Sequence, residues 1–191
     1  GRLAEAKEQL KGQPVALSLL PDAAIYEKAV RVALEHSEFY DEKEFDTARR
    51  LLAKGISRTD AIVSGNADWR RMKGLVARGY TSKIDGSVQP YGLVVPERER
   101  DPGQFAPADT FVLHLYGRYC NANKLAGEID LFEAFDKVLE QYPGAIDEDR
   151  LIVRGFSMGG AACWQFAVHY PGKWAAAAPG AGFSETPEFL R

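Results

Sequence analysis

The spacing of apolar residues along the chain changes from helical to strand-like near residue 74. Before that point, apolar side chains recur at the three- to four-residue spacing typical of amphipathic helices. The pattern predicts a helix over 21–34, a second over 41–54 that stops at Gly55, and a third, short helix capped near Ser57 or Thr59. We therefore assign residues 1–74 to an N-terminal helical extension.

A β-hairpin is predicted directly after these helices. Residues 75–84 and 88–95 are rich in β-branched and aromatic side chains and flank Asp85-Gly86-Ser87. These three residues tolerate the positive φ angles that tight hairpin turns need. The two segments should therefore pair as antiparallel strands.

Strands and helices alternate in the remainder of the chain. Strands are predicted over 110–116, 150–156 and 174–179, with an amphipathic helix over 130–142 and another helix directly after residue 156. Such alternation is typical of a parallel sheet with helices on both faces, here preceded by the hairpin at one edge. We assign residues 75–191 to one incomplete α/β domain.

The segment 151–163, LIVRGFSMGGAAC, carries the clearest chemical signal. An apolar strand leads into Gly155-Phe156-Ser157-Met158-Gly159, and small residues and a helical pattern follow at once. This is the pattern of a nucleophile elbow, in which a serine on a sharp strand-to-helix turn is lifted clear of the sheet. Small residues two positions before and after the serine are expected to let strand and helix approach closely.

The same turn predicts part of an oxyanion hole. The Met158 N–H would begin the helix, where the helix dipole and an unused donor stabilise a developing negative charge. A five-residue pattern with two variable positions also arises by chance in glycine-containing loops. The strand before and the helix after the motif favour the elbow.

Together, the hairpin, the alternating elements and the elbow predict an α/β-hydrolase fold. The stretches DGSVQPYGLVVP, RYCNANKLAGEIDLFEAF, IDEDRLIVRGFSMGGAACWQF and YPGKWAAAAPGAGFSE also resemble bacterial esterases of the prolyl-oligopeptidase type in that superfamily. The resemblance implies hydrolysis of an ester or amide through an acyl-enzyme at Ser157, without a cofactor. It also favours a periplasmic or secreted location over a cytoplasmic one.

The chain departs from that family pattern in two places. The His-Gly-Arg-Gly loop that supplies a second oxyanion donor is missing near residues 97–100, which suggests an omitted segment. The triad order is Ser, then Asp or Glu, then His, and His169 is the only histidine after Ser157. Twelve helical residues separate the two, about 18 Å at ~1.5 Å per residue. We therefore expect the 191 residues to lack the triad histidine and acid.

Several other residues are candidates for the substrate pocket, because loops at the carboxyl ends of parallel strands bind ligands in this architecture. They are Tyr116, Glu128, Asp130, Phe156, Phe183 and Glu185. Each has an ordinary structural alternative. Asp130 is also well placed as the N-cap of a helix that begins at Leu131, Glu185 is a weak candidate for the triad acid, and the aromatic residues are suited to packing.

Composition excludes several other classes of protein. The net charge of −3 and pI near 5.7 give no basic surface for nucleic acid, and there is no Gly-Lys-Ser/Thr phosphate loop. No apolar run is long enough to cross a bilayer. The three histidines are far apart and there is no Cys/His cluster, so we expect no metal site. Two cysteines are too few for a disulfide framework.

The sequence thus predicts a serine hydrolase that acts on small carboxylic esters. A prolyl-oligopeptidase-like peptidase is an alternative that rests on the fold analogy. A third possibility is a non-catalytic binding module that keeps the elbow for architecture. The sequence does not indicate an oligomeric state.

Overall fold

A computed structural model describes residues 1–96, 105–118 and 122–183. The chain divides into two compact units, Gly1–His114 and Leu115–Arg191. The helices and strands, in chain order, are α1 Arg2–Gln9, α2 Pro14–Leu17, α3 Leu20–Glu35, α4 Glu42–Val63, β1 Gly74–Thr81, β2 Val88–Val95, β3 Val112–Leu115, α5 Ala126–Gln141, β4 Ile152–Phe156, α6 Met158–His169 and β5 Ala176–Gly180. Short 3-10 helices lie at Asp68–Arg70, Glu148–Arg150 and Pro171–Lys173.

Helix α4 is longer than the sequence predicts. A capping box starts it, in which the Asp41 side chain accepts from the Lys43 N–H and the Glu44 side chain accepts from the Asp41 N–H. The expected stop at Gly55 is wrong, and the separate third helix is part of α4. Gly55 lies where α4 meets α3, since a Cβ there would be only 3.2 Å from Tyr26 Cβ. The glycine therefore serves helix packing and does not end the helix.

The predicted hairpin is confirmed. Strands β1 and β2 pair antiparallel from Gly74 opposite Val95 to Thr81 opposite Val88. In the connecting turn, Asp85 Oδ1 accepts hydrogen bonds from both the backbone N–H and the hydroxyl of Ser87. The sheet of this unit has the order β1-β2-β3, so β1 is an edge strand.

The first unit is held together at the edge of β1 by polar contacts from α3 and α4. The buried Asp22 carboxylate of α3 accepts from the Gly79 N–H at 2.8 Å and from Arg78 Nε at 3.0 Å. Arg58 of α4 donates to the Ala77 carbonyl at 2.7 Å. Among the described strands, β1 pairs with β2 alone, so these side chains from α3 and α4 cover its other edge.

The second unit contains a β–α–β arrangement around Ser157. Strands β4 and β5 pair in parallel, from Ile152 opposite Ala176 to Phe156 opposite Gly180. Helix α6 connects them, and Val153 packs with residues of α6 and with Leu131 of α5. A small apolar core therefore lies beneath the end of β4 and supports the turn that follows it.

The predicted fold class is wrong. The described residues form a three-stranded antiparallel sheet and a separate two-stranded parallel sheet, with no mostly parallel sheet of the α/β-hydrolase kind. Strand β3 pairs with β2, and β4 pairs with β5. The physical reason for the error is that hydrophobic periodicity predicts a strand and its buried face, but does not specify which strand lies beside it.

Candidate active site around Ser157

Ser157 occupies a sharp turn between a strand and a helix. Strand β4 ends at Phe156, and α6 begins at Met158. Ser157 itself is exposed and has φ 55° and ψ −116°, a conformation that costs a non-glycine residue free energy. The hydroxyl is therefore presented to solvent on a strained backbone, which is how a nucleophile elbow holds its serine.

Two backbone hydrogen bonds hold this turn in place. The Ser157 N–H donates to the Gly180 carbonyl at 2.9 Å, at the end of β5. The Ser157 carbonyl accepts from the Ala161 N–H at 3.0 Å and so forms the first hydrogen bond of α6. Ser157 is thus bound on one side to the sheet and on the other to the helix.

Close packing at the turn depends on glycines, though not on both motif glycines. A Cβ atom at Gly155 would fall on the Gly159 carbonyl oxygen, so strand and helix touch there. A Cβ at Gly159 would meet nothing within 4 Å. The expectation that small residues two before and two after the serine allow the close approach is therefore met at Gly155 and not at Gly159. The second close contact involves Gly160 instead.

Met158 is the first residue of α6, and its side chain is partly exposed. The first N–H groups of an α-helix have no acceptor within the helix. They lie at the positive end of the helix dipole, beside the Ser157 hydroxyl in the chain. The Met158 N–H is therefore a suitable donor to an oxyanion formed at Ser157.

His169 lies at the opposite end of α6 from Ser157. It is the last residue of the helix, and its Nδ1 is 2.6 Å from Glu128 Oε1. Helix length alone separates it from Ser157 by about 18 Å at ~1.5 Å per residue. It is the only histidine in the sequence after residue 114. His169 therefore does not act on the serine hydroxyl.

Glu128 is the centre of a polar cluster at that far end. Its Oε1 accepts from Gln165 as well as from His169, and its Oε2 accepts from the Tyr170 hydroxyl at 3.3 Å. Burial raises the pKa of the Tyr170 phenol, and the Glu128 carboxylate raises it further. The structure thus places Glu128 with the end of α6 and not with Ser157.

Asp130 is a residue of the helix interior. Helix α5 starts at Ala126, four residues before the expected start, so the expected N-cap role of Asp130 is wrong. Leu125 precedes the helix, and its side chain provides no cap. The buried Asp130 carboxylate accepts from Arg118 Nε at 2.8 and 3.0 Å. This ion pair ties α5 to the segment that follows β3.

The aromatic candidates differ in exposure. Tyr116 and Phe156 are exposed, at 58% and 76%, and Phe183 is partly buried. Phe156 lies directly before the turn, at the end of β4, where its ring lies near Gly180. Glu185 and the segment near 97–100 lie outside the described residues.

Two further residues, Gly160 and Gly182, shape the turn at Ser157, and the motif alone does not indicate them. A Cβ at Gly160 would fall on the Gly180 carbonyl oxygen and lie 2.7 Å from Gly182 Cα. The available signal in the sequence is that glycines lie near the end of each parallel strand, at 159–160 after β4 and at 180 and 182 around the end of β5. The packing partner of each glycine, however, depends on how β4 and β5 pair.

Comparisons with family models, with curated proteins and with solved structures find no match to this chain. Within the described residues, no helix combines the length and apolar character that a bilayer crossing requires. The same residues contain no group of three or more His, Cys, Asp or Glu side chains suited to a metal ion.

Proposed function

We propose that Ser157 is the nucleophile of a serine hydrolase that cleaves small carboxylic esters. The observation that carries the proposal is the exposed Ser157 hydroxyl on a strained turn, directly before the N-terminus of a twelve-residue helix. Strained backbone conformations in non-glycine residues cluster at functional sites. Here the strained residue is a serine, a residue type whose hydroxyl can attack a carbonyl carbon when a base activates it.

The reaction follows from these groups. Ser157 Oγ attacks the acyl carbon while a general base takes its proton, and the Met158 N–H stabilises the oxyanion. The bond between the acyl carbon and the alcohol oxygen then breaks, and the alcohol leaves with the proton. Water releases the acid from the acyl-enzyme by the reverse sequence. Because His169 cannot serve as the base, we place the base outside α6.

A second candidate is a non-catalytic binding module that keeps the turn for architecture. Leu125 favours it, because Leu125 adopts φ 54° and ψ −117° immediately before α5 without any nucleophilic side chain. The strained turn alone is thus compatible with a purely structural role. The serine hydroxyl and the helix N–H groups beside it distinguish Ser157 from Leu125.

The test is covalent labelling of the full-length gene product with a fluorophosphonate probe. We expect labelling at Ser157, its loss in Ser157→Ala, and its retention in Ser64→Ala, which removes an exposed serine at the end of α4. Hydrolysis of short-chain p-nitrophenyl esters in preference to proline-containing peptide anilides would support the esterase over the peptidase. A folded protein that is not labelled would support the binding module.

A further inference from the structure

The loop after β5 touches the first turn of α6 backbone to backbone. A Cβ at Gly182 would lie 2.5 Å from the Gly160 carbonyl carbon and 2.6 Å from its oxygen. A Cβ at Gly160 would in turn lie 2.8 Å from the Gly182 nitrogen. Real Cβ atoms do not approach backbone atoms this closely. The contact therefore exists only because both residues are glycine.

This contact is linked directly to Ser157. The Gly180 carbonyl that accepts from the Ser157 N–H is two residues before Gly182, and Gly160 is three residues after Ser157. Ala181, between the two loop glycines, has φ 46°, an unusual value for alanine. A displacement of the loop would thus move the acceptor that holds the serine backbone.

We infer that Gly160 and Gly182 are positioning residues that set the location of the Ser157 hydroxyl for acyl transfer. The inference rests on the proposed role of Ser157. Neither glycine touches the reacting atoms. They act by allowing the helix and the loop to close on each other, so that Ser157 is held between Gly180 and α6.

The contact can be tested without adding backbone strain. Neither Gly160 nor Gly182 has a positive φ angle, so alanine is conformationally allowed at both positions. The neighbouring atoms are backbone, which cannot move aside as a flexible side chain would. Alanine at either position must therefore separate the loop from the helix. Gly172 is the matched control, because a Cβ there meets nothing within 4 Å.

The experiment measures p-nitrophenyl ester hydrolysis by the full-length protein and its Gly160→Ala, Gly182→Ala and Gly172→Ala variants. The burst amplitude counts competent sites, and the burst rate gives acylation per competent site. A misplacement near 1 Å lowers a rate by up to about 100-fold, so we expect a ~10- to 100-fold slower acylation in the first two variants with little change in KM. Gly172→Ala should match the parent.

A purely structural role would lower the burst amplitude and leave the rate per competent site unchanged, which would overturn the inference. Hydrogen exchange of the Ser157 amide supplies a second readout that does not need activity. We expect at least tenfold faster exchange in Gly182→Ala than in the parent or in Gly172→Ala. If the parent forms no acyl-enzyme, the proposed function fails, and with it the positioning role. Faster Ser157 exchange would then show a contact that is structural only. A parent that forms no acyl-enzyme contradicts the proposed function. A parent with a normal burst, and variants that acylate as fast as the parent, contradict only the positioning role of the two glycines.

Discussion

Leu125 and Ser157 share one backbone conformation, φ/ψ of 54°/−117° and 55°/−116°, and each immediately precedes a helix. The C-cap residues that follow the two helices are also alike: Tyr142 and Tyr170 have φ/ψ of −129°/59° and −130°/55°. Each tyrosine is followed by Pro-Gly. Helices α5 and α6 therefore have the same backbone conformations at both ends. The strained position before the helix is an exposed leucine at α5 and a serine at α6.

Glycine at either strained position should stabilise the protein. Such a conformation costs a non-glycine residue about 1–3 kcal/mol, whereas glycine adopts it freely at an entropic cost of about 0.5–1 kcal/mol. We expect Leu125→Gly and Ser157→Gly each to raise the free energy of unfolding by about 1 kcal/mol, the difference between these values. Urea denaturation of the full-length protein measures the change.

The control for that prediction is Ala126→Gly, one residue after Leu125 and inside α5. Glycine in a helix costs up to about 1 kcal/mol relative to alanine, so this variant should be less stable than the parent. Ser157→Gly should also lose fluorophosphonate labelling while it gains stability. Equal destabilisation by all three glycines would contradict the idea that the turn is strained.

The glycines around Ser157 should respond differently to alanine. A Cβ at Gly155 or Gly160 would fall on a backbone carbonyl oxygen, whereas a Cβ at Gly159 is unobstructed. Gly155→Ala and Gly160→Ala should each cost about 1–3 kcal/mol as overpacked substitutions. Gly159→Ala should be neutral or stabilising by up to about 1 kcal/mol, because alanine favours the helix. Thermal unfolding of the three variants checks the order, and a large loss in Gly159→Ala would contradict it.

Local features were predictable from the sequence, and partnerships between distant segments were not. The hairpin and the strand–serine–helix turn were predicted correctly because turn residues and periodicity act within a few positions. The role of Gly55 could not be predicted, because it depends on contact with Tyr26, which is distant in sequence. The sheet arrangement could not be predicted, because no local pattern specifies that β3 pairs with β2 while β4 pairs with β5.

At the candidate site, too, local features were predictable and contacts between distant segments were not. The strand-to-helix turn at Ser157 and Met158 follows from one five-residue motif. The contact of Gly160 with Gly182 depends on how β4 and β5 pair, and the location of Glu128 depends on which end of α6 meets α5. The burial of Asp22 could not be predicted from the sequence, since a carboxylate early in a predicted helix is usually a solvated first-turn residue.

Asp22 should be among the residues most sensitive to substitution. Its carboxylate is 1% exposed and accepts from Trp69 Nε1, Arg78 Nε and the Gly79 N–H. Asp22→Asn leaves the fully buried Arg78 guanidinium without its charged partner. Removing one member of a buried ion pair costs about 3–5 kcal/mol. We expect a loss of that size in equilibrium unfolding.

Asp60→Asn is the matched control for Asp22→Asn. Asp60 also accepts from an arginine, Arg2 Nε at 2.7 Å, but the Asp60 side chain is 53% exposed. Exposed ion pairs contribute about 0–1 kcal/mol because water and salt screen them. Similar losses in the two variants would contradict the role assigned to the buried cluster.

Cys163 should be unreactive in the folded protein. Its side chain is 1% exposed, its Sγ donates to the Val153 carbonyl at 3.3 Å, and burial raises the pKa of the thiol. Because the thiolate is the reactive form, iodoacetamide should leave Cys163 unmodified until the protein unfolds. Peptide mass spectrometry after pulse labelling in increasing urea measures this. Modification of Cys163 in native buffer would show that the core of the second unit opens.

Tyr26 should make folding sensitive to alkaline pH. Burial raises the pKa of its phenol, and this effect exceeds the opposing one of the Arg58 guanidinium. A folded-state pKa above the unfolded value near 10 means that the associated stability is complete below pH ~10. It is lost as pH rises through the folded-state pKa, because the unfolded chain ionises first.

Tyr26→Phe isolates this effect. The Tyr26 hydroxyl is buried without a hydrogen-bond partner among the described residues, and the ring lies 5.1 Å from the Arg58 guanidinium carbon. Phenylalanine keeps the ring and removes the unpaired hydroxyl, so stability at pH 7 should stay equal or rise by up to about 1–3 kcal/mol. Urea midpoints between pH 7 and pH 11 should fall less steeply in Tyr26→Phe than in the parent.

Tyr170→Phe is the contrasting variant, since it loses the hydrogen bond to Glu128 and should be less stable than the parent at pH 7. Parallel pH profiles for Tyr26→Phe and the parent would show that Tyr26 ionises equally in both states.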